Sequence, residues 1–429
     1  MSVDALATRG ALREPPPIHR VIIAASAGNA LEWFDFLIYG YFAVTISKVF
    51  FPSGDETVSL LQTFGAFGLS YLVRPLGAIV IGAYSDRAGR KAGLMLSIIL
   101  MMCGTTIMAV IPGYATIGLA APALVLLARL LQGFSVGGEF GSATAYLVEH
   151  SRTRKGFMAS WQWASQGLTA LVASAFGIAL SSLLAPDELL SWGWRIPFFF
   201  GLLIGPVGLY IRSRMAETPE FAATEPDKMP IATLLARHPG AVLIAIGASV
   251  ISNSSNYLIL YIPTYAVSEL HLPASTGYIA TFVGAIILGT VALLAGHWSD
   301  KIGRTRIMLA MTILFFVTAY PVFAMMVTHP SLATAIFAAG WLSFVKAGYS
   351  GVLPSFLSEL FPVETRAIGM SFSYSVSVTI FGGTALYIST LLIRQTGDKL
   401  APSYYLMTTA ILSMIAVIAA GRRLARKPA

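Results

Sequence analysis

The chain has 429 residues, of which 56% are hydrophobic and 11% are charged, and its formal net charge is +8. Soluble domains carry about 25% charged residues, so the composition excludes a soluble domain and indicates an integral membrane protein. The basic residues stand in small groups between apolar stretches, so we predict no nucleic-acid partner. The single cysteine, Cys103, excludes an internal disulfide framework.

Twelve apolar stretches are long enough to cross a bilayer, which takes about 20 residues of helix. The first stretch follows a polar, proline-rich segment and is too long for the core of a cleavable signal peptide. We number the stretches as spans 1 to 12 in chain order. Their predicted bounds are 19–48, 57–84, 92–112, 119–149, 156–184, 194–213, 239–268, 275–298, 305–327, 331–359, 366–395 and 402–421.

The longest interval between spans, 214–238, divides them six and six. We therefore predict a tail over 1–18, a six-helix bundle over 19–213, a linker over 214–238, a second bundle over 239–421 and a tail over 422–429. Most of the 28 Lys and Arg residues fall in the tails, the linker and the loops of one side. By the positive-inside rule, that side and both termini are predicted to be cytoplasmic.

One loop motif occurs twice. The pattern Gly-x-x-x-Asp-Arg/Lys-x-Gly-Arg follows span 2 and returns after span 8 at an offset of 214 residues, from Asp86 to Asp300. Two halves of like topology, with a site between them near the midplane, are a known transporter plan. We expect the charged residues of both loops to form conformation-dependent ion pairs that gate the cytoplasmic side. These gating candidates are Asp86, Arg87, Arg90, Asp300, Lys301 and Arg304.

The doubled loop motif resembles the signature between spans 2 and 3 of the major facilitator superfamily. The segment 129–141, RLLQGFSVGGEFG, resembles the span 4 motif of the same superfamily. Three further segments resemble its metabolite:proton symporter branch: GNALEWFDF at 28–36, RPLG at 74–77 and WGWRIPF at 192–198. Within that branch, the loop segments PGYATIGLAAP and TGDK are most similar to those of citrate and tricarballylate symporters.

This resemblance implies an all-α membrane protein with twelve transmembrane helices in two pseudo-symmetric six-helix bundles, the major facilitator fold. It implies a secondary active transporter that imports its substrate with a proton by alternating access, in the cytoplasmic membrane of a bacterium. The family expectation is a monomer in the lipid bilayer. The expected partners are a small organic anion, the proton and lipid, with no cofactor besides the co-transported proton.

Charged residues in the middle of apolar segments are costly and usually functional. The acidic ones are Glu32 and Asp35 in span 1 and Glu139 in span 4. They are the candidates for proton coupling, because all six histidines lie at span ends or in loops. For Glu139, a structural role within span 4 is the alternative.

The cations at bilayer depth are Arg74, Arg129 and Lys346. Arg129 lies near mid-depth and could either hold a substrate carboxylate in bidentate fashion or pair with an acidic residue of span 1. Lys346 lies about halfway along span 10, and spans 7 to 12 have no central carboxylate. Its partner is therefore expected in the other half or in an anionic substrate. For Arg74, which precedes Pro75, we favour a structural packing role.

Polar residues on shared helix faces complete the candidate binding site. Asn29 and Glu32 are spaced i and i+3 along span 1, and Asn253 and Asn256 repeat this spacing in span 7. The alternative for such residues is hydrogen bonding between helices. The substrate-binding candidates are Asn29, Arg129, Gln162, Gln166, Asn253, Asn256, Tyr257, Lys346, Tyr349 and Tyr374.

Both signs of charge at bilayer depth favour proton-coupled import of an organic anion, with a di- or tricarboxylate such as citrate expected first. The alternative is symport of a zwitterionic osmolyte such as betaine or proline, or of shikimate or 2-oxoglutarate. A drug exporter is disfavoured because span 5 has no proline, and a nutrient sensor because both tails are short. No enzyme, ATP-driven pump or metal protein is predicted, because the chain has no nucleotide-binding loop, no His/Cys cluster and no catalytic triad at depth.

Overall fold

In the computed structural model, residues 18–88, 90–137, 139–149, 151, 153–213, 230–362 and 365–424 are described. Within these residues the chain forms helices joined by short loops, and no β-strand is present. The helices of the N-terminal half are Ile18–Tyr41, Ala43–Phe50, Glu56–Leu72, Arg74–Ala88, Arg90–Val110, Tyr114–Ile117, Ala120–Ser135, Glu139–Glu149, Lys155–Leu183, Pro186–Ser191, Gly193–Arg195 and Ile196–Ser213. The helices of the C-terminal half are Pro239–Ser268, Ala274–Ile302, Arg304–Thr328, Leu332–Ser350, Leu353–Leu360, Arg366–Ser377, Val378–Gly382, Ala385–Thr396 and Ala401–Leu424.

Eight helical segments of the described residues are long and apolar enough to cross a membrane. They are Glu56–Ile81, Lys155–Leu183, Pro239–Ser268, Ala274–Ile302, Arg304–Thr328, Leu332–Leu360, Arg366–Thr396 and Ala401–Arg423. Two shorter apolar helices, Met95–Val110 and Ala120–Ser135, fall in predicted spans 3 and 4. Predicted spans 1 and 6 correspond to Ile18–Tyr41 and Ile196–Ser213. Each predicted span therefore corresponds to a helix of the structure.

Polar caps and glycines end the helices where the loops begin. The carboxylate of Asp55 accepts hydrogen bonds from the N–H groups of Thr57 and Val58, at 2.8 and 3.2 Å, and so caps the first turn of span 2. Ser331 caps span 10 in the same way. Gly303, with φ of 99°, turns the chain between spans 8 and 9 in a conformation that side chains disfavour.

Spans 3, 6, 9 and 12 contribute to the outward apolar surface. Large hydrophobic side chains are exposed on each of them, for example Ile99, Leu203, Val317 and Ile415. Contiguous exposed apolar surface of this kind suits contact with lipid. Exposed large hydrophobic side chains also occur on spans 2, 5, 8 and 10, for example Leu72, Leu168, Trp298 and Phe337, so apolar surface surrounds the molecule.

The two halves meet along spans 5 and 8, which pack side by side from Gly156 to Gly177 of span 5. Midway, a side-chain carbon on Gly167 would lie 2.6 Å from the backbone nitrogen of Gly289 and 3.0 Å from the carbonyl oxygen of Ala285. The helices approach this closely because neither glycine has a side chain. The centre of the interface is therefore a contact of backbone with backbone.

One packing contact occurs in both halves at the offset of the loop motif. Span 4 is interrupted at Gly137, where the missing side chain leaves room for the backbone of Ala78 in span 2. Span 10 is interrupted at Gly351, where a side-chain carbon would lie 2.9 Å from the Cα of Ala292 in span 8. Gly137 and Gly351 are 214 residues apart, as are Ala78 and Ala292. The repeat in the sequence is thus a repeat in the structure.

The halves touch at both ends of the molecule. At the predicted cytoplasmic end, the carboxylate of Asp300 in span 8 accepts hydrogen bonds from the N–H groups of Gly156 and Phe157, at 2.8 and 3.0 Å. At the opposite end, Arg394 of span 11 pairs with Asp55 of span 2 at 2.9 Å. The two halves are therefore joined on either side of the space between them.

The interval between the bundles contains one further helix, Pro230–Arg237. The sequence predicted a linker over 214–238 without that helix, and 214–229 lie outside the described residues. Most of the predicted tails, 1–18 and 422–429, lies outside them as well. The predicted domain boundaries stay a prediction.

Candidate functional site

A small, partly enclosed cavity of about 20 Å³ lies between the two halves, which is room for about one water molecule. Spans 1 and 5 of the N-terminal half and spans 7, 8 and 10 of the C-terminal half form its wall. The lining residues are Leu37, Tyr41, Gln166, Ala170, Asn256, Ile259, Leu260, Thr281, Gly284, Ala285, Leu288, Ser343 and Lys346. A ligand larger than water can occupy this cavity only when the halves move apart.

Of the lining residues, only Lys346 is charged. Its side chain is buried, with 2% of the residue exposed, and its ammonium donates a hydrogen bond to Asn256 Oδ1. The ammonium also lies 4.9 Å from the centre of the Trp163 ring. Among the described residues, no carboxylate lies within ion-pair distance of it. A buried charge without a counter-ion is costly, and an ammonium has three protons to donate, so this group can bind an anionic ligand.

Several polar atoms beside Lys346 have no hydrogen-bond partner within the described part of the chain. They are Gln166 Oε1, Asn256 Nδ2 and Trp163 Nε1. A buried polar group without a partner costs about 1–3 kcal/mol. A polar ligand that satisfies these atoms would therefore be favoured over an apolar one.

A second cluster of polar side chains lies inside the N-terminal half, away from the cavity wall. Asp35 Oδ2 accepts hydrogen bonds from the hydroxyl of Thr105 and, at 3.3 Å, from Gln132 Nε2. Asp35 Oδ1 has no hydrogen-bond partner in the described structure and faces Gly201, where a side-chain carbon would lie 2.9 Å away. Gln132 also accepts a hydrogen bond from Arg129 at 2.7 Å. The Gln132 amide thus connects the buried carboxyl group of Asp35 to the buried guanidinium of Arg129.

The guanidinium of Arg129 is fully buried among aromatic rings. Its central carbon lies 4.6, 4.4 and 5.2 Å from the ring centres of Phe36, Tyr39 and Phe67. Cation–π contacts of this kind stabilise a desolvated cation by about 2 kcal/mol or more. The structure places Arg129 near Asp35 and not on the cavity wall, and its predicted role in substrate binding stays a prediction.

The other acidic residue of span 1 has a different partner. Glu32 pairs with Arg74 of span 2 at 3.5 Å. The Arg74 guanidinium also lies over the rings of Tyr71, at 4.3 Å, and Phe36, at 4.9 Å. Glu32 therefore has a direct ionic partner, whereas Asp35 reaches its arginine through an amide.

Three of the predicted binding residues form hydrogen bonds between helices of their own half. Asn29 Nδ2 donates hydrogen bonds of 2.8 Å to the Gln162 carbonyl and to the Ser165 hydroxyl. Gln162 Nε2 donates back to Asn29 Oδ1 at 3.3 Å. In the other half, Asn253 of span 7 donates to Ser377 of span 11 at 3.2 Å. These contacts match the interhelical alternative that the sequence left open, and a role in binding stays a prediction.

The three predicted tyrosines lie off the cavity wall as well. The Tyr257 hydroxyl donates to the Tyr71 hydroxyl at 2.6 Å, across the halves. Tyr374 stacks on Phe140, also across the halves, with ring centres 3.8 Å apart. Tyr349 donates to a span 7 carbonyl at 2.6 Å. Two of the three therefore contribute to the interface between the bundles.

The second copy of the loop motif forms an ion network at the predicted cytoplasmic end. Arg304 pairs with Asp300 at 3.2 Å and with Glu359 of span 10. Lys301 is exposed and has no ion pair among the described residues. The predicted side chains that lie outside the described part of the structure are those of Asp86, Arg87, Arg90 and Glu139.

Sequence reasoning did not identify Thr105, Gln132 or Trp163 as site residues. Gln132 follows Arg129 by three residues, so both lie on one helix face, and that spacing could have identified it. Thr105 and Trp163 give no such signal, because their contacts with spans 1 and 10 depend on how the helices are packed.

Two repeated helical bundles with a cavity between them are an architecture of secondary transporters. The sequence profile of the Major Facilitator Superfamily matches residues 26–376 and, in an overlapping match, 244–429. The chain belongs to this superfamily and is a multi-pass membrane protein. The resemblance stated from the sequence, and the all-α major facilitator fold that it implied, are confirmed.

Relatives with curated names include symporters and other transporters. The chain is 41% identical over 407 residues to a citrate-proton symporter of Klebsiella pneumoniae, which covers 94% of this chain and 91% of that protein. It is 33% identical over 417 residues to a proline/betaine transporter of Salmonella typhimurium, which covers 93% of this chain and 82% of that protein. Both similarities extend over nearly the whole chain.

Solved structures with the same fold include a xylose transporter from E. coli in a partially occluded inward-open conformation. That structure superimposes with a TM-score of 0.74 at 15% identity, covering 94% of this chain and 96% of that chain. A proton:xylose symporter bound to 6-bromo-6-deoxy-D-glucose gives a TM-score of 0.78 at 14% identity, with 94% of each chain covered. At such low identity, these similarities establish the fold alone.

Proposed function

We propose that the protein imports an organic anion together with protons by alternating access, and that di- and tricarboxylates such as citrate are its substrates. The observation that carries this proposal is the buried ammonium of Lys346, which lines the cavity between the halves with no carboxylate partner among the described residues. An anion that enters the cavity supplies the missing counter-ion. The similarity to citrate-proton symporters supports this choice of substrate class.

The buried charges limit the charge of the substrate that can be enclosed. Two carboxylates and three cations are buried among the described side chains near mid-depth, which leaves one positive charge in excess. They are Glu32, Asp35, Arg74, Arg129 and Lys346. One substrate carboxylate cancels the excess, and a proton bound to Asp35 allows a second one, because burying net charge is costly. Proton and anion therefore favour each other's binding, as symport requires.

Asp35 is the proposed proton carrier, with Glu32 as the alternative. Glu32 already has a direct ionic partner in Arg74, whereas Asp35 contacts neutral donors. When Asp35 takes up a proton, its hydrogen bond with Gln132 must change. Because Gln132 also binds Arg129, one side chain can pass the change in charge to the buried cation.

The remaining context is proposed from the family and from the distribution of basic residues. The protein acts as a monomeric carrier, and not as an enzyme, in the lipid bilayer of a bacterial cytoplasmic membrane. Both termini face the cytoplasm, and the co-transported proton is the only cofactor. The contacts of Asp300 at the cytoplasmic end and of Arg394 at the outer end open in turn to admit and release the substrate.

Uptake of radiolabelled citrate into proteoliposomes tests this proposal. An inside pH of about 8 and an outside pH of about 6 supply about 2.7 kcal/mol per proton, because one pH unit is worth about 1.4 kcal/mol. We expect accumulation that a protonophore abolishes. Uptake that is equal with and without the pH difference would exclude proton coupling. Competition by tricarballylate, 2-oxoglutarate and shikimate then ranks the anions.

The second candidate function is proton symport of a zwitterionic osmolyte. The similarity to proline/betaine transporters supports it. Labelled glycine betaine separates the two functions. It should be accumulated only if the second candidate is correct.

A further inference from the structure

We propose that Lys346 and Trp163 together determine whether the site accepts an anion or a zwitterion. In this arrangement the lysine ammonium occupies the place in which a zwitterionic ligand would put its own cationic group. The inference rests on the proposed anion transport and names the residue pair that sets its specificity.

The position of the ammonium supports this assignment. It lies 4.9 Å from the centre of the Trp163 ring, within the range of a cation–π contact. Trp163 belongs to span 5 and Lys346 to span 10, so the contact joins the two halves. Lys346 lines the cavity and the buried Trp163 does not, so a ligand in this cavity would meet the ammonium and not the ring.

The charges balance in two different ways. In the natural site, the protein supplies the ammonium and the ligand supplies a carboxylate. In a site without Lys346, a zwitterion such as glycine betaine supplies both charges. Each arrangement pairs one cation with one carboxylate at this position, and a second carboxylate of the anion is balanced by the proton on Asp35.

The groups around the lysine suit a zwitterion once the ring is uncovered. Trimethylammonium groups bind to the faces of aromatic rings, and tryptophan is the best of these. Asn256 Nδ2 and Trp163 Nε1 are buried donors without a hydrogen-bond partner in the described residues, so they could receive the carboxylate. In the natural protein, a zwitterion would instead place two cations over one ring. Lys346 therefore excludes zwitterions because its ammonium occupies the face of the Trp163 ring and repels a second cation.

Binding of citrate and of glycine betaine to the purified protein, measured by isothermal titration calorimetry, tests the inference. Lys346→Ala removes the charge and uncovers the ring, whereas Lys346→Met removes the charge and keeps an unbranched stem over the ring. Both variants should bind citrate at least about thirtyfold more weakly. Only Lys346→Ala should bind glycine betaine about tenfold or more tightly than the natural protein, and adding Trp163→Leu should abolish that gain.

The controls separate this inference from the proposed function. Lys48→Met removes an exposed lysine that pairs with Glu56, and it should bind both ligands like the natural protein. If the natural protein binds no organic anion, the proposed function is wrong. If Lys346→Ala folds and loses citrate without gaining betaine, or keeps the gain when Trp163 is replaced, the inference alone is wrong. Should Lys346→Ala fail to fold, Lys346→Ser is tested against the same two expectations.

Discussion

The two halves share one architecture but divide the buried charges unequally. In the N-terminal half, Glu32 pairs with Arg74, and Asp35 is joined to Arg129 through an amide. In the C-terminal half, the central cation Lys346 has only an amide and an indole ring as described partners. The internal repeat therefore determines where helices break and pack, but it does not determine where charge is placed.

This difference suggests separate tasks for the halves. A carboxylate held by neutral donors can take up and release a proton with small changes in its surroundings. A cation without a carboxylate partner favours an anion that arrives from outside. Because the cavity lies between the halves, a proton bound in one half and an anion bound to the other influence the same closing movement.

The largest expected effect comes from removing the carboxylate that distinguishes the N-terminal half. Asp35→Asn keeps the size of the side chain but cannot exchange a proton. A difference of about two pH units drives about hundredfold accumulation per proton, and the variant should lose this accumulation. Exchange of labelled for unlabelled substrate, which needs no gradient, should continue. Proteoliposome uptake and counterflow measure the two properties.

Glu32→Gln is the matched control for that experiment, since Glu32 lies on the same span and has a direct ionic partner. We expect the control to weaken packing and to retain gradient-driven accumulation. If Glu32→Gln abolished accumulation and Asp35→Asn did not, the roles assigned to the two carboxylates would have to be exchanged.

Gly167→Val tests whether transport requires the two halves to approach each other along spans 5 and 8. A valine at Gly167 would press on the backbone of Gly289 and Ala285, and such overpacking costs about 1–3 kcal/mol. Transport should therefore fall by about thirtyfold, while citrate binding to open states is retained. Gly65→Ala is the control, because nothing lies within 4 Å of its side-chain position. An equal loss of binding would mean that the contact supports folding and not closing.

Replacing Gln132, whose amide connects Asp35 and Arg129, should have an intermediate effect on uptake. Gln132→Leu leaves both charged groups without this link, and hydrogen bonds to charged groups contribute about 1.5–3 kcal/mol each. We expect uptake to fall by about tenfold and its dependence on pH to shift. The exposed Gln62→Leu on span 2 should change neither property. A normal pH profile in Gln132→Leu would show that the amide only fills space.

The helices and the repeat could be predicted because hydropathy and one motif contain that information. Each predicted span corresponds to a helix, and the offset of the loop motif also relates the contacts of Gly137 and Gly351. Gln166, Asn256 and Lys346 were predicted for the binding site from their depth and spacing, and they lie on the cavity wall.

The partners of the buried charges could not be predicted in the same way. Depth along a helix places Glu32, Asp35 and Arg129 at similar levels, but a helix turns by about 100° per residue. Which side chains face each other therefore depends on the rotation of each helix in the packed bundle. In the packed bundle, Glu32 forms an ion pair with Arg74, and Gln132 lies between Asp35 and Arg129.

Substitutions at the ends of the two halves should affect transport less than substitutions at their centres. Asp300 accepts two N–H groups at the start of span 5, and an acid at a helix N-terminus contributes about 0.3–1 kcal/mol. Asp300→Asn should therefore shift the balance between states open to either side by at most about fivefold. Labelling of Ser343→Cys on the cavity wall, in a chain without Cys103, measures that balance. The exposed Asp187→Asn should leave it unchanged, and a shift as large as that of Gly167→Val would contradict the ranking of centre over ends.

The smallest effect is expected at the opposite end, where Asp55 pairs with Arg394. The N–H groups of Val58 and Thr57 and the Arg394 guanidinium hold the pKa of Asp55 below its ordinary value. A lowered pKa means that the stabilisation is present above the ordinary pKa and is lost only as the pH falls through the lowered one. Between about pH 5 and 8 the pair therefore stays ionised, and Asp55→Asn should change uptake less than about twofold, because exposed ion pairs contribute little. Uptake measured in pH steps should give parallel profiles for both proteins, whereas a profile that diverges in this range would move part of the proton coupling from the centre of the N-terminal half to its outer end.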